Sequence, residues 1–305
     1  MSETDIKDYI KAGKAVIAAK KKAKDLVKPG ISFLEIANKV EEEIYKMDCE
    51  LAFPLNMSLN EIAAHYSPII DDEKIIPEKG LLKIDCGAHY NGYIADSAFT
   101  INLDEDPKLE NYIVAAEEAL EAAISIFKPD TKLYELGDVI AKKILEHGLR
   151  PIVNLGGHEL KQYNLHAGPF IPNYKDTHHD YILKPGDAFA CEPFTTSGAG
   201  TVVNGKHSYI YRFNKKIKKN LPYEQQSYMN KIEMITEKLP FSPRLLDYKE
   251  VIPKNKIQRT IDEFTRKKIL DHYPILVERS RALVAQQEHT IIIDFDGNTI
   301  VTTKE

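Results

Sequence analysis

The 305-residue sequence has no tryptophan, only three cysteines, no long apolar run and no surplus of charge of one sign. Each shortage removes a class of function. Cys49, Cys86 and Cys191 are odd in number and none stands in a Cys-x-x-Cys pair, which fits neither a disulfide framework nor a cysteine-built zinc site and leaves three reduced packing residues. With 41 Lys+Arg against 46 Asp+Glu the net charge is -5, too weak and of the wrong sign to draw a phosphate backbone, so no nucleic-acid partner is expected. No apolar stretch approaches the roughly 18 residues a membrane span needs, so no membrane partner is expected either. The opening MSETDIKDYIKAGK is polar and acidic, without the basic region and apolar stretch of a secretory signal, and a cytoplasmic location is expected.

What is present is a duplication. Sliding the chain along itself by 100 residues lays VKPGISFLEIANKVEEEI at 27–44 over FKPDTKLYELGDVIAKKI at 127–144. Lys28-Pro29 falls on Lys128-Pro129, Glu35 on Glu135, Ile36 on Leu136, Val40 on Ile140 and Ile44 on Ile144. The apolar pairs recur at spacings of four, the face a helix buries. Upstream, Ala15, Ala19 and Ala23 fall on Ala115, Ala119 and Ala123. Any two amphipathic helices look somewhat alike, and the matched Lys-Pro turn is what marks the pair as copies. Each copy reads as helix, Lys-Pro turn, helix, and two copies are too few for a solenoid. The expectation is a pseudo-symmetric single domain.

After each helical pair come short runs rich in β-branched, aromatic and Gly residues, LLKIDCGAHY, GYIADSAFTINL, DAFACEPF and HTIIIDF, which read as strands. Residues 213–272 read instead as a helical insertion, with helices expected over 222–238 and 257–271, flanked by Pro222, Pro240, Pro243 and Pro253. The lysine runs Lys20–Lys22 and Lys215–Lys219 read as solvated surface. His178-His179 reads as loop.

Asn91-Gly92 between two strand-like runs is a hairpin signal. A two-residue loop sets Asp96 opposite Gly87 and makes Asp85 a diagonal neighbour of Asp96 on the same face. That face is either exposed to solvent or holds a cation, because two converging carboxylates otherwise repel. Ile84, Ile94 and Phe99 do not sort onto one side, so the hairpin is expected to be covered on both. His158 in NLGGHEL, Glu192 in ACEPF and Glu288 in QQEHTIII sit in apolar surroundings where a lone charge is costly. Four carboxylates and one neutral imidazole could balance two divalent cations, and such donors suit manganese, ferrous iron, cobalt or zinc. Cys86 and Cys191 adjoin proposed ligands but should face away, since neighbours in a strand alternate. His65 and His166 are 101 apart, nearly the duplication offset; they are either structural or face each other across the pseudo-twofold axis.

In this order and with these motifs, Asp85, Asp96, His158, Glu192 and Glu288 resemble the metal-ligand set of the methionine aminopeptidases over nearly the whole chain. The 96 residues from Glu192 to Glu288 leave room for the helical insertion of type 2 enzymes, and NEIAAHYSP and NLHAG are similarly type 2, of the archaeal form. The resemblance implies the pita-bread fold, an α/β architecture of two pseudo-symmetric halves around antiparallel sheets. It implies two divalent metal ions, with Asp85 on one, His158 and Glu192 on the other, and Asp96 and Glu288 bridging. A shared hydroxide would attack the carbonyl of an N-terminal methionine on nascent polypeptides, provided the second residue is small (Gly, Ala, Ser, Thr, Cys, Pro or Val). It further implies His166 as hydrogen-bond donor to the oxyanion, His65 against the scissile amide, Glu192 as proton shuttle, and a methionine pocket of Phe53, Leu165 and Tyr273 with His207 near it. A monomer is expected, and a transient ribosome contact stays open. The rivals are a proline-specific peptidase of the same fold, which carries a substantial domain before the catalytic one, and a non-catalytic binding protein of that fold, which would have lost these ligands.

Overall fold

The computed structural model describes residues 2–214 and 221–305. Helix α1 (Glu3–Leu26) starts in a capping box between Ser2 and Asp5, which satisfies two of the backbone N–H groups that a helix start leaves without partners. A Lys-Pro turn leads to α2 (Phe33–Lys46). Strands β1 (Glu50–Leu59), β2 (Ile62–Ala64), β3 (Leu81–Tyr90) and β4 (Tyr93–Asn102) complete the first half. The second half opens with α3 (Pro107–Ile126) and α4 (Leu133–Glu146), followed by β5 (Arg150–Pro151), β6 (Gly156–Glu159), β7 (Phe170–Pro172), β8 (Ala188–Cys191) and β9 (Phe194–Thr196). After β10 (Val202–Phe213) come α5 (Tyr223–Thr236), α6 (Pro243–Tyr248) and α7 (Lys254–Arg266), then β11 (Leu270–Glu278), β12 (Val284–Gln286), β13 (His289–Ile293) and β14 (Thr299–Val301).

The duplication is carried into backbone conformation. The bounds of α2 and α4 both lie 100 residues apart, as do the last residues of α1 and α3. Gly30 and Asp130 both take positive φ in the Lys-Pro turns, and Asp48 and Gly148 do so after the second helices. Gly30 N donates to Ile76 O and Asp130 N to Leu183 O, both at about the same length (2.8 and 2.9 Å). A left-handed residue there lets the chain reverse, and its recurrence at one offset is the duplication expressed in dihedral angles.

Each helical pair covers one sheet. Ala15, Ala19 and Ala23 of α1 and Ile36, Val40 and Ile44 of α2 pack with Ile84 and Cys86 on the antiparallel sheet β1-β3-β4. Ala115, Ala119 and Ala123 of α3 and Leu136, Ile140 and Ile144 of α4 pack with Phe189, Cys191 and Ile291 on the sheet β14-β13-β8-β6-β7. The alanines permit close approach of helix to sheet, while burial of each Ile or Leu contributes on the order of 1.5–3 kcal/mol. The opposite faces of the two sheets meet through Phe53, Ile94, Ala190 and Ile292, so the hairpin is covered on both sides, and Cys86 and Cys191 do face the outer cores.

The three helices α5–α7 form their own apolar cluster, with Ile232, Phe241, Leu246, Ile257, Ile261 and Phe264 inside it. Two expectations about this segment need correction. The helix expected to run to 271 ends at Arg266, where Lys268 takes positive φ and Leu270 begins a strand paired with β10. The six-residue α6, started by Pro243 after Ser242, was not read from the sequence. Lys20 is also not surface: it is buried, its ammonium donating to Ser97 Oγ at 2.9 Å, whereas Lys21 is exposed. Lys215–Lys219 lies outside the described residues. His178-His179 falls in a turn as expected. Among the described residues no helix is long and apolar enough to cross a membrane.

Candidate metal centre

The β3–β4 hairpin turns on Asn91 and Gly92, both at positive φ. Its register pairs Gly87 with Asp96 and Asp85 with Ala98, which puts Asp85 and Asp96 diagonally on the inner face. In the second half His158 lies on β6 opposite Ala190 of β8, while Glu192 directly follows β8 and Glu288 directly precedes β13. The glycines before His158 are required by packing. A Cβ on Gly156 would stand 2.2 Å from Ile171 O, and one on Gly157 2.2 Å from Ala190 O. Only a bare backbone lets β6 fit between β7 and β8 and bring its histidine to the inner face.

Hydroxyl groups join the halves across this face. Asp96 N donates to Thr290 Oγ1 at 2.7 Å, and Thr290 Oγ1 donates to Asp96 O at 2.8 Å. Ser97 Oγ donates to Glu288 O at 2.6 Å, and Thr100 Oγ1 to Gln286 O at 2.7 Å. The backbone of one ligand from each half is thus fixed by the other half, which gives the side chains a common frame.

Asp96, His158 and Glu288 each offer a donor atom within 4.8 Å of the other two. His158 Nε2 lies 3.6 Å from Asp96 Oδ2 and 3.9 Å from Glu192 Oε1. Gln286 Nε2 donates to Glu192 Oε2 at 3.1 Å and to Glu288 Oε2 at 3.4 Å. Asp85 joins the same cavity, of about 210 Å³, and none of its lining residues is a lysine or arginine. The carboxylates therefore meet burial and one another without a compensating cation. Burial raises Asp85 to about 7. Asp96, Glu192 and Glu288 are held well above the ordinary carboxylate range, first by burial and then by the neighbouring carboxylates. Burial drives the His158 imidazole down, so it is neutral and able to ligate. Asp85 Oδ1 and Asp96 Oδ1 are buried and accept no hydrogen bond. Orphaned carboxylate oxygens and a neutral imidazole converging on one cavity fit divalent cations, which would supply the missing charge.

His65 and His166 line the same cavity. His65 packs edge-on to Tyr273 at 5.4 Å, and His166 lies 4.4 Å from the His158 ring and 6.3 Å from the Tyr273 ring. Loss of solvation among the neighbouring rings lowers the basicity of both, His166 to about 4 even though part of it stays open to solvent. Phe53, Leu165 and Tyr273 are also lining residues. His207 is not brought there: it is exposed on β10 and stacked on Tyr209, while Ile210 of the same strand reaches the wall. The register of β10 on β11 shifts between Asn204 and Ser208 and again between Ser208 and Ile210, so simple alternation does not carry through this stretch.

Several contributors were not anticipated. Gln286 stands two residues before Glu288, the same-face spacing of a strand, and that parity was the available signal. Asn173 is fully buried and donates from Nδ2 to Leu155 O at 3.0 Å and Glu192 O at 3.2 Å; no local pattern marks it. Asn56, Asn154, Phe170 and Phe194 also line the wall.

Residues 7–219 match the model of metallopeptidase family M24. The chain is 41% identical over 302 residues to a methionine aminopeptidase of Pyrococcus abyssi, covering 98% of this chain and 100% of that one. In fold it is similar to a thermophilic Arx1 (TM-score 0.86, 15% identity, 99% of this chain and 91% of that one). It is also similar to a methionine aminopeptidase from Thermotoga maritima (TM-score 0.72, 23% identity, 100% of this chain and 98% of that one). The carboxylate–histidine cavity between two related halves is thus set in a chain that belongs to metallopeptidase family M24.

Proposed function

We propose that this protein removes the N-terminal methionine from nascent polypeptides whose second residue is small. The observation that carries the reading is the convergence of Asp85, Asp96, His158, Glu192 and Glu288 with His65 and His166 on one cavity. The Pyrococcus abyssi relative, similar from end to end, bears the name methionine aminopeptidase. The same reading places it in the cytoplasm, as a monomer, with any ribosome contact transient.

In this reading Asp85, Asp96, His158, Glu192 and Glu288 hold two divalent cations drawn from manganese, iron, cobalt or zinc. When bound, such ions supply Lewis acidity and lower the pKa of a water to near neutrality. The chain's own groups do the rest. His65 Nδ1 donates to Pro274 O at 3.1 Å, and burial keeps the ring neutral, so Nε2 carries a lone pair. It is suited to accept the N–H of the scissile amide and so to orient it. His166 donates to the carbonyl oxygen as negative charge develops on it. Glu192, beside the same carboxylates and His158, is the group suited to carry a proton to the leaving amine. Phe53, Leu165 and Tyr273 enclose the methionine side chain. A second side chain, next to the scissile bond, would have to fit between His65 and His166 and the carboxylates, so a large one would collide with the two histidines.

A metal titration of Asp96→Asn tests the arrangement. The variant is expected to lose one metal equivalent and at least about 100-fold in kcat/KM, since a ligand should cost no less than the outer-shell partners whose loss costs 10–100-fold. A variant that kept both metals and full activity would show the two-metal reading to be wrong.

A further inference from the structure

The ligand cavity does not end at His166. Leu165, His166, Pro240 and Tyr273 also line a second cavity of about 400 Å³. Among the charged and histidine side chains burial falls along this route: Asp96, His158 and Glu288 are buried, whereas His166 on the shared wall and Arg212 and Lys238 in the second cavity are exposed beside the buried Leu165, Phe213, Leu239 and Pro240. The second cavity is therefore the outer one. A peptide with its first residue over the carboxylates must leave toward solvent, and the second cavity offers a contiguous way out.

The charges in this outer cavity are unequal in their freedom. Arg212 of β10 and Asp271 of β11 are direct cross-strand partners. Asp271 Oδ1 accepts from Asn214 Nδ2 at 3.0 Å, and Lys238 Nζ lies 3.4 Å from Glu233. Arg212 stands over the Tyr273 ring at 5.3 Å, and among the described residues no carboxylate lies within ion-pair distance of it. Three ring steps lead outward, 4.4 Å from His158 to His166, 6.3 Å to Tyr273 and 5.3 Å to the guanidinium. An extended chain advances about 3.3 Å per residue, so these steps, which bound the separation from above because they need not be collinear, put Arg212 within about five residues of the first, a span that includes the third and fourth.

We propose that the outer cavity is a subsite for the third and fourth residues of the substrate, and that Arg212 makes it selective for a carboxylate side chain there. This rests on the reading of the protein as a methionine-releasing aminopeptidase. The guanidinium is planar, permanently charged and held against Tyr273, so it can bind a carboxylate in two-point fashion at small entropic cost.

The test uses the full-length protein loaded with manganese and the peptide Met-Ala-Ser-Ser-Ser, with Asp or Lys placed at position three or four. In the wild type, kcat/KM for the Asp peptide is expected to exceed that for the Lys peptide about fivefold at one of these positions. The ratio should shrink toward one in about 0.5 M NaCl, where charges are screened over a few ångströms. It should fall to about one in Arg212→Ala and reverse in Arg212→Glu. Because the readout is a ratio within each variant, a general loss of activity does not mimic it. Should Arg212→Glu be inactive on every peptide, Arg212→Gln is expected at a ratio near one. A wild-type ratio near one, or one that Arg212→Glu or Arg212→Gln leaves at fivefold, overturns the subsite while methionine release stands. Release from no peptide by the wild type overturns the aminopeptidase reading and the subsite with it.

Discussion

Replacing Arg244 with alanine should destabilise the protein by about 3–5 kcal/mol, the cost of breaking a buried ion pair from one side. Arg244 is the second residue of α6 and is 5% exposed. Its Nη1 and Nη2 donate to Glu41 Oε2 and Oε1 of α2, both at 2.7 Å, and its Nε donates to Pro68 O at 2.8 Å. The pair therefore fastens the helical insertion to the first half. Truncation leaves the Glu41 carboxylate buried without its counter-charge. With the pair replaced as a whole, Arg244→Met with Glu41→Leu, the Coulomb loss is offset by relief of two desolvated charges. Unmet partners remain, because Glu41 Oε1 also accepts Leu55 N at 3.0 Å and Pro68 O loses the Arg244 Nε donor, of which the orphaned buried N–H is the larger cost at about 1–3 kcal/mol. The double variant should thus lose about 1–3 kcal/mol, less than either single truncation. Urea unfolding monitored by circular dichroism reads these differences as midpoint shifts at constant slope. With about 2.1 cal/mol/K of unfolding entropy per residue, 4 kcal/mol over 305 residues corresponds to a fall in Tm of about 6 °C. A loss under 1 kcal/mol for Arg244→Ala, or a double variant worse than both singles, would refute the assignment of the pair as the fastening.

Further outcomes follow from the carboxylate cluster. In the metal-free protein Asp85 is raised from 3.8 to about 7, so the folded state holds a proton that the unfolded state has released. Stability from this group is fully present below about pH 4 and is lost as pH rises through about 7; Tm of chelated protein should decline over that window, and added manganese should abolish the decline. A Tm that rises across it would contradict the burial argument. Gln286→Ala removes the donor shared by Glu192 and Glu288 and should weaken metal binding about 10- to 100-fold, read by titration calorimetry; unchanged affinity would show that the amide does not orient the ligands.

The features legible in the sequence are those with local or fixed-offset signatures. The duplicated helix pairs could be read because their apolar positions and Lys-Pro turns repeat at 100 residues, and the relation of Asp85 to Asp96 followed from one two-residue turn and strand parity. His158, Glu192 and Glu288 stood out as charges in apolar runs. What escaped was set by packing between distant segments. Lys20 carries the composition of a surface run yet is buried against Ser97 of β4. Arg244, Asn173 and Arg212 act through partners far away in sequence that no periodicity announces. The end of α7 was misplaced because Ile269 and Leu270 continue an apolar helical spacing, while the left-handed turn at Lys268 and pairing with Phe213 make Leu270 the start of a strand. His207 was expected only from the family resemblance, and it stands in an irregular stretch of β10 where no motif fixes which residue faces the cavity.

The most direct test of the central claim is methionine release from Met-Ala-Ser and Met-Leu-Ser by metal-stripped protein, with and without added manganese or cobalt. Metal-dependent release from the first peptide and little from the second is the predicted result. No release from either peptide, with metal demonstrably bound, would contradict it.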